Sequence, residues 1–253
     1  MKLTAKLKNM KFFRCDLHNH TVLSPCGDLE MSPVNIVKRA REQKIDILGI
    51  TDHNTTLHAS LVKQLGAREG IMVMMGAEVT SREEVHCLCF FEEIVTLECF
   101  QSFLEEHLPN ILNDVNRFGY QVVVDEKENI VCEVEYLLIS ALNVGIEELE
   151  QKVHELGGLF IPAHIDRKYN GLISQLGFVP PDLKVDALEL SRFISKEEFL
   201  RENGYLKNYT IIQSSDAHYI DNMGQAITQM YMESASFQEV RKALKGEDGR
   251  CVV

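Results

Sequence analysis

Potential metal ligands occur in this chain as short clusters, and nearly every cluster directly follows a short apolar run. The clusters are Asp16-Leu17-His18-Asn19-His20, Thr51-Asp52-His53-Asn54, Gly76-Ala77-Glu78, His86, Ala163-His164 and Ser215-Asp216-Ala217-His218. The preceding runs, FFRCDL, IDILGI, IMVMM, LFIP and TIIQS, have the length and the β-branched or aromatic content of buried strands. One polar residue at the end of one strand constrains little. Ligands at the ends of five or six strands require those ends to converge on one point, as a metal-hydrolase site demands.

Between these runs the pattern turns helical. Ser32 and Pro33 predict the cap and first position of a helix over Val34–Gln43. A strand at Ile45–Ile50, a helix near Leu57–Glu69 and a strand at Ile71–Met75 follow, and Val85–Phe91 is placed to pair antiparallel with its predecessor. The stretch 97–158 differs: a long helical pattern over Cys99–Phe118, a short strand at Gln121–Val124, an acidic turn at Asp125–Asn129, then further helix to Gly157-Gly158. It supplies no ligand cluster and reads as a lobe inserted into a single domain spanning 1–253. Strands then resume at Leu159–Ile161, Val185–Leu190, Thr210–Gln213 and Ile227–Met232, before a last helix at Phe237–Lys245. Strand and helix in alternation predict a mainly parallel sheet. Function at the carboxyl ends of strands predicts a barrel.

Composition narrows the partners. The net charge of −12 and the lack of a basic stripe disfavour long nucleic acid. Bound divalent cations would reverse the local sign, so a small anionic substrate remains feasible. No run is long enough to span a bilayer, and MKLTAKLKNMKFF lacks the apolar stretch of a leader, so a cytoplasmic protein with no membrane partner is expected, its oligomeric state left open. The seven cysteines include no C-x-x-C pair and read as free thiols, with Cys87 and Cys89 in the core.

His18 and His20, two apart on a strand, point to one face and can reach one cation. Asp216 and His218 repeat that geometry. Mixed carboxylate and imidazole donors suit zinc, manganese or iron. Glu78 has two oxygens and can bridge two ions, while His86 and His164 would complete the ligands of the second ion. Neutralising Glu78 is expected to cost the fold little and even to relieve repulsion among the carboxylates of the metal-free site. The bland alternative for all these groups is a satisfied polar core, the reading kept for His58, His107 and His154 in the helical stretches. Glu92-Glu93 and Glu147–Glu150 read as solvated faces.

In order, DLHNHT, ITDHN, GAEVTS, VHCLCFF, AHID and SSDAH make the chain resemble the polymerase and histidinol phosphatase (PHP) superfamily from Asp16 to His218. The resemblance implies an α/β fold, a distorted (β/α)7 TIM-like barrel carrying the inserted helical lobe. It also implies two or three divalent metal ions and phosphoesterase activity. By resemblance, one ion takes His18, His20, Glu78 and Asp216, and a second takes Glu78, His86 and His164. A third takes His53 and His218 with a ligand from the first loop. Many relatives read HT-x-x-S-D-G there, whereas this chain reads HTVLSPCGDLE, with Pro25 in the aspartate's place. Asp28, Cys26 and Glu30 are the candidates. Asp28 is the expected ligand, because a carboxylate suits a hard or borderline ion, whereas a thiolate would bias the site towards zinc. Asp52 is expected to orient a ligand histidine rather than bind metal.

Arg167 and Arg192 each follow a strand, and their guanidinium forks match phosphate oxygens; Lys168 is a weaker candidate. The expected chemistry is hydrolysis of a small phosphorylated substrate: a nucleotide, a sugar phosphate, histidinol phosphate or a short oligonucleotide end. Metals would activate water, the arginines would stabilise the anionic oxygens, and His218 or Asp216 could protonate the leaving alcohol. No G-x-S-x-G elbow or Ser-His-Asp order is present, which argues against covalent acyl chemistry. Two rivals are an amidohydrolase-like C–N hydrolase, disfavoured by the paired arginines, and a metal-binding PHP module without catalysis, disfavoured because every main ligand type is present.

Overall fold

The computed structural model describes residues 10–253; the start of the chain, 1–9, where most of the expected leader-free stretch falls, lies outside the described residues. β1 (Lys11–Asp16), β2 (Ile47–Ile50) and β3 (Met72–Thr80) lie side by side and parallel, linked by α1 (Pro33–Glu42) and α2 (Ala59–Arg68). α1 starts as its sequence predicts: the Ser32 hydroxyl accepts the Asn35 N–H at 3.3 Å, and Pro33 opens the first turn. Gly49 permits the close approach of β2 to the chain leaving β1, since a Cβ there would lie 2.0 Å from the Leu17 carbonyl oxygen. β4 (His86–Phe91) then runs antiparallel to β3. Its amino end therefore shares a face with the carboxyl ends of β1–β3, and His86 enters the site from the opposite chain direction.

The stretch that follows is less helical than expected. α3 (Ile94–His107) stops eleven residues short of the predicted end because Leu108 precedes Pro109. Proline pushes the residue before it out of the helical region, and Leu108 is extended at φ −70° and ψ 127°. α4 (Val115–Phe118) is one turn. β5 (Val122–Val124) and β6 (Ile130–Glu133) form a hairpin around the predicted acidic turn, and the chain is helical again only in α5 (Ile146–Glu155). Part of this stretch packs beside the end of the barrel that carries the ligands. The Asn54 amide donates to the Leu138 and Ser140 carbonyls at 2.6 and 2.8 Å, the Val124 N–H donates to His58 Nε2 at 2.9 Å, and Val22 packs with Val122 and Val124.

β7 (Leu159–Pro162) pairs antiparallel with β4. After α6 (Leu172–Leu176), β8 (Leu188–Leu190) leads through α7 (Lys196–Glu202) to the parallel β9 (Ile211–Gln213). These two close the barrel at the end that carries the ligands. The Ile165 N–H donates to the Glu189 carbonyl at 2.9 Å, the Ala217 N–H to the His18 carbonyl at 3.2 Å, and the His20 N–H to the Ala217 carbonyl at 2.9 Å. The result is a distorted TIM-like barrel of seven staves, β1–β4 and β7–β9. β10 (Thr228–Met232) extends the sheet antiparallel on β1, and α8 (Phe237–Lys245) and β11 (Cys251–Val252) finish it.

Period-two alternation divides the core. In β3, Val73, Met75, Ala77 and Val79 face the helices, with Cys87 and Cys89 of β4 in the same cluster; Met74 joins Leu88, Phe90 and Ile161 in the other. Glu78 has the parity of Met74, so its side chain is carried to the inner face at the site end. All seven cysteines are free, and among the described residues no helix is long and apolar enough to cross a membrane.

Candidate metal centre

The carboxylate of Glu78 is 1% exposed and has five imidazoles around it. His86 Nδ1, His164 Nε2 and His18 Nε2 lie 2.8, 3.0 and 3.3 Å from Oε1; His53 Nδ1 and His20 Nε2 lie 3.1 and 3.3 Å from Oε2. Asp216 closes the group, with Oδ1 at 3.5 Å from His18 Nε2 and 3.6 Å from His20 Nε2. His218 stacks on His20 at 4.0 Å between centroids. Three sets have donor atoms mutually within 4.8 Å: His18, His20 and Glu78; His53, Glu78 and His86; and His20, His53 and His218.

Two oxygens cannot satisfy that many ring nitrogens. His53 Nδ1, though 3.1 Å from Glu78, is off the line of a hydrogen bond, and His164 Nδ1 is buried without a partner. His18 Nε2 and His20 Nε2 face each other at 3.2 Å, so either one ring holds a proton between them or both nitrogens serve a shared cation. The charge balance agrees. Burial raises the Glu78 carboxyl, but His86, His18, His53 and His164 outweigh it and hold the group well below its ordinary range. Burial likewise lowers His18, but Glu189, Glu78 and Asp216 raise it well above the ordinary imidazole value. Burial, reinforced by neighbouring imidazoles, lowers His53 well below its ordinary value, and burial with His20 takes His218 down to about 3. His53 and His218 thus favour their neutral, donor forms, while the charge on His18 answers the carboxylates that a cation would otherwise neutralise; imidazoles beside ionised carboxylates are the donor chemistry of zinc, manganese or iron.

Other side chains hold these donors in place. Glu189 Oε2 lies 2.9 Å from His18 Nδ1 and accepts the His164 N–H at 3.1 Å, so one carboxylate directs His18 Nε2 inward and anchors a second donor residue. Sequence reasoning missed Glu189; the available signal was a lone acid inside the apolar LEL of β8. Asp52 accepts from the Thr21 N–H, the Thr21 hydroxyl and the Ser24 hydroxyl, and Ser24 Oγ lies 3.0 Å from His20 Nδ1. Its reach to His20 thus passes through Ser24. Asp16 accepts from the Ser215 N–H and hydroxyl and from the Gly224 N–H, fixing the turn that presents Asp216. Two of the donor residues hold unusual backbone: Asp216, in that turn, has φ +48°, and His164, after β7, has φ +29°, left-handed values that non-glycine residues hold only where the surroundings enforce them.

Asp28 does not join the cluster. Its Oδ1 accepts the Glu30 N–H at 2.9 Å, turning the carboxylate into its own loop, while its N–H donates to the His218 carbonyl at 2.8 Å. Cys26, not Asp28, borders the cavity shared with Asp216 and His218, and Glu30 is exposed. Arg167 stands at the mouth, Nη1 donating to Asp216 Oδ2 at 2.5 Å. Arg192 Nη1 donates to the Ser215 carbonyl at 3.2 Å. His58 is buried between Thr21 and the lobe, and His107 and His154 make local bonds with Phe103 and with Glu150 and Asp186.

Fold and site together define a distorted α/β barrel whose open end holds a histidine-rich cluster centred on a buried carboxylate and suited to divalent metals. The chain belongs to the PHP domain family, whose model matches residues 16–245. It is 27% identical over 275 residues to the uncharacterised protein YqxK of Bacillus subtilis strain 168, covering 96% of this chain and 65% of that protein. Its fold is similar to the lesion-specific endonuclease EndoQ of Pyrococcus furiosus, with TM-score 0.72, 20% identity, and 96% of this chain on 58% of that one. Endonuclease Q is also known in complex with a 27-mer duplex bearing an abasic lesion at the active site, at TM-score 0.66 and 20% identity, covering 95% of this chain and 58% of that one. A protein from Bifidobacterium adolescentis, provisionally assigned as a metal-dependent phosphoesterase, matches at TM-score 0.63 and 19% identity, covering 91% of this chain and 95% of that one. The chain spans less than two thirds of YqxK and of EndoQ.

Proposed function

We propose that this chain is a metal-dependent phosphoesterase acting on a small anionic phosphoester. The carrying observation is Glu78, a buried carboxylate with five imidazoles within 3.3 Å and a guanidinium at the cavity mouth. We read the chain as one domain, with 97–158 as an inserted lobe. When bound, two or three divalent ions supply Lewis acidity and a water nucleophile at neutral pH. Glu78 would be shared, with Oε1 towards His86 and His164 and Oε2 towards His20 and His53. His18 and Asp216 complete one set of donors, and His53 and His218 contribute to another. Glu189 keeps His18 Nε2 facing the cluster.

The lowered proton affinity of His218 suits a donor ligand better than a general acid. Arg167 and Arg192 take phosphate oxygens, stabilising the charge that accumulates as phosphorus changes partners. The water oxygen bonds to phosphorus, the ester P–O bond breaks, and one water proton ends on the departing alcohol.

A second reading is cleavage of a nucleic-acid phosphodiester, favoured by the likeness to Endonuclease Q. The net charge of −12 favours small substrates. The test is metal-stripped protein reloaded with manganese, zinc or iron and offered phosphomonoesters, phosphodiesters, lesion-bearing duplexes and amides. Metal-dependent phosphate release supports the reading. Amide turnover alone, or less than one bound metal per chain in excess cation, overturns it.

A further inference from the structure

The cavity over the Glu78 cluster, about 180 Å³, adjoins a larger one of about 330 Å³; Arg167, Asp216 and His218 line both. A phosphoester with its phosphate at this common wall can place its alcohol half in the larger cavity. Phe193 and Tyr219 border that cavity, with 77% and 57% of their surfaces exposed. They come from separate loops, one after β8 and one after β9. A single exposed aromatic is ordinary. Two on the rim of one cavity, beside a metal centre, form a surface suited to being covered in use.

The Arg192 guanidinium lies over the Phe193 ring, 5.1 Å from its centroid, and is tethered by the Ser215 carbonyl. The serine hydroxyls in the wall are already engaged: Ser191 donates to Asp166 and Ser215 to Asp16, and the remaining hydroxyl, that of Tyr219, is carried on an aromatic ring. A polyol would need such groups for recognition, whereas a flat ring needs a π face and a guanidinium plane. We infer that this cavity is a subsite for a flat unsaturated ring carried on the alcohol half of the phosphoester, whether a nucleoside base or an aryl group. The inference rests on the phosphoesterase reading, and it assigns Phe193, Tyr219 and Arg192 to substrate choice.

Calorimetry on metal-reloaded protein, with phosphate release followed alongside to separate binding from turnover, compares adenosine 5′-monophosphate, phenyl phosphate and ribose 5-phosphate. At least one ring-bearing ligand should bind on the order of ten-fold tighter than ribose 5-phosphate, within the range of one base–aromatic stack. Phe193→Ala and Tyr219→Ala should each remove most of that advantage and leave ribose 5-phosphate unchanged; Phe193→Trp should keep it. A preference for the nucleotide puts the ring a sugar's length from phosphate, and a preference for phenyl phosphate puts it adjacent; either supports the subsite. Equal binding of all three, no ring-dependent binding, or an equal loss for ribose 5-phosphate in the variants overturns it. The reloaded enzyme separates the two ideas. Hydrolysis without a ring advantage removes the subsite alone, and a ring advantage without hydrolysis of any phosphoester removes the phosphoesterase reading alone.

Discussion

Replacing Glu78 by glutamine should destabilise the protein even before any metal is added. The sequence suggests the opposite, a carboxylate among carboxylates whose neutralisation relieves repulsion. In the structure its immediate neighbours are imidazoles, at 2.8 to 3.3 Å. Glutamine keeps one acceptor oxygen but loses the charge opposite His18 and turns an N–H2 towards ring nitrogens. Breaking a buried pair typically costs 3–5 kcal/mol, and the retained acceptor offsets part of this, so we expect about 2–4 kcal/mol. For a chain of this size that corresponds to a fall in Tm of roughly 4–16 °C.

The pH window follows from the signs. Glu78 has a lowered folded pKa, so its contribution is present above the ordinary carboxyl range and lost as pH falls through the lowered value. His18 has a raised one, so its contribution is lost as pH rises through the raised value. The penalty should therefore be largest between the two, which includes neutral pH. Thermal unfolding of chelator-treated wild type and variant across pH measures it, with metal content and turnover of the reloaded proteins alongside. A metal-free variant that unfolds at or above the wild-type temperature at neutral pH would show that Glu78 does not neutralise the imidazoles as drawn here.

Removing Glu189 (Glu189→Ala) should weaken metal affinity on the order of 10- to 100-fold, the usual cost of losing a carboxylate that orients a ligand histidine. Competition against a fluorescent chelator reads this directly, and Asp28→Asn, whose carboxylate only turns its own loop, should leave metal content unchanged. Arg167→Ala and Arg192→Ala should each lower kcat/KM on an anionic substrate roughly 30- to 150-fold, the equivalent of a lost charge-assisted contact, with lysine rescuing only in part. Near-normal efficiency in both alanine variants would exclude a phosphate clamp. His154, raised by its bond to Asp186 against partial burial and helped by Glu150, stabilises the fold below the ordinary imidazole pKa and loses that effect as pH rises through its raised value. His154→Gln should flatten the change in Tm between about pH 6 and pH 8.

Much of the architecture is local information. Ser32 and Pro33 mark the start of α1 through their own hydrogen-bonding and φ preferences, and the apolar period of α8 marks Phe237–Lys245 with no tertiary help. The runs that end in His18, His53, His164 and Asp216 place those residues at strand ends because alternation and strand length are properties of neighbours in the chain. Pro109, which ends α3 early, was legible by the same logic, but the helical pattern continuing past it hid the break. What the chain could not state locally is which polar groups meet. His18 and Glu189 are 171 positions apart, and Asp16 and Ser215 are 199 apart. Only closure of the barrel by β8 and β9 makes them partners. The reversal of β4 brings His86 in from the other direction, the Asp28 side chain is claimed by a turn within its own loop, and Arg167 finds Asp216 across the mouth. Periodicity along a chain sets where a side chain points relative to its own strand. What it meets depends on how distant strands are brought together, and that is a property of the closed fold.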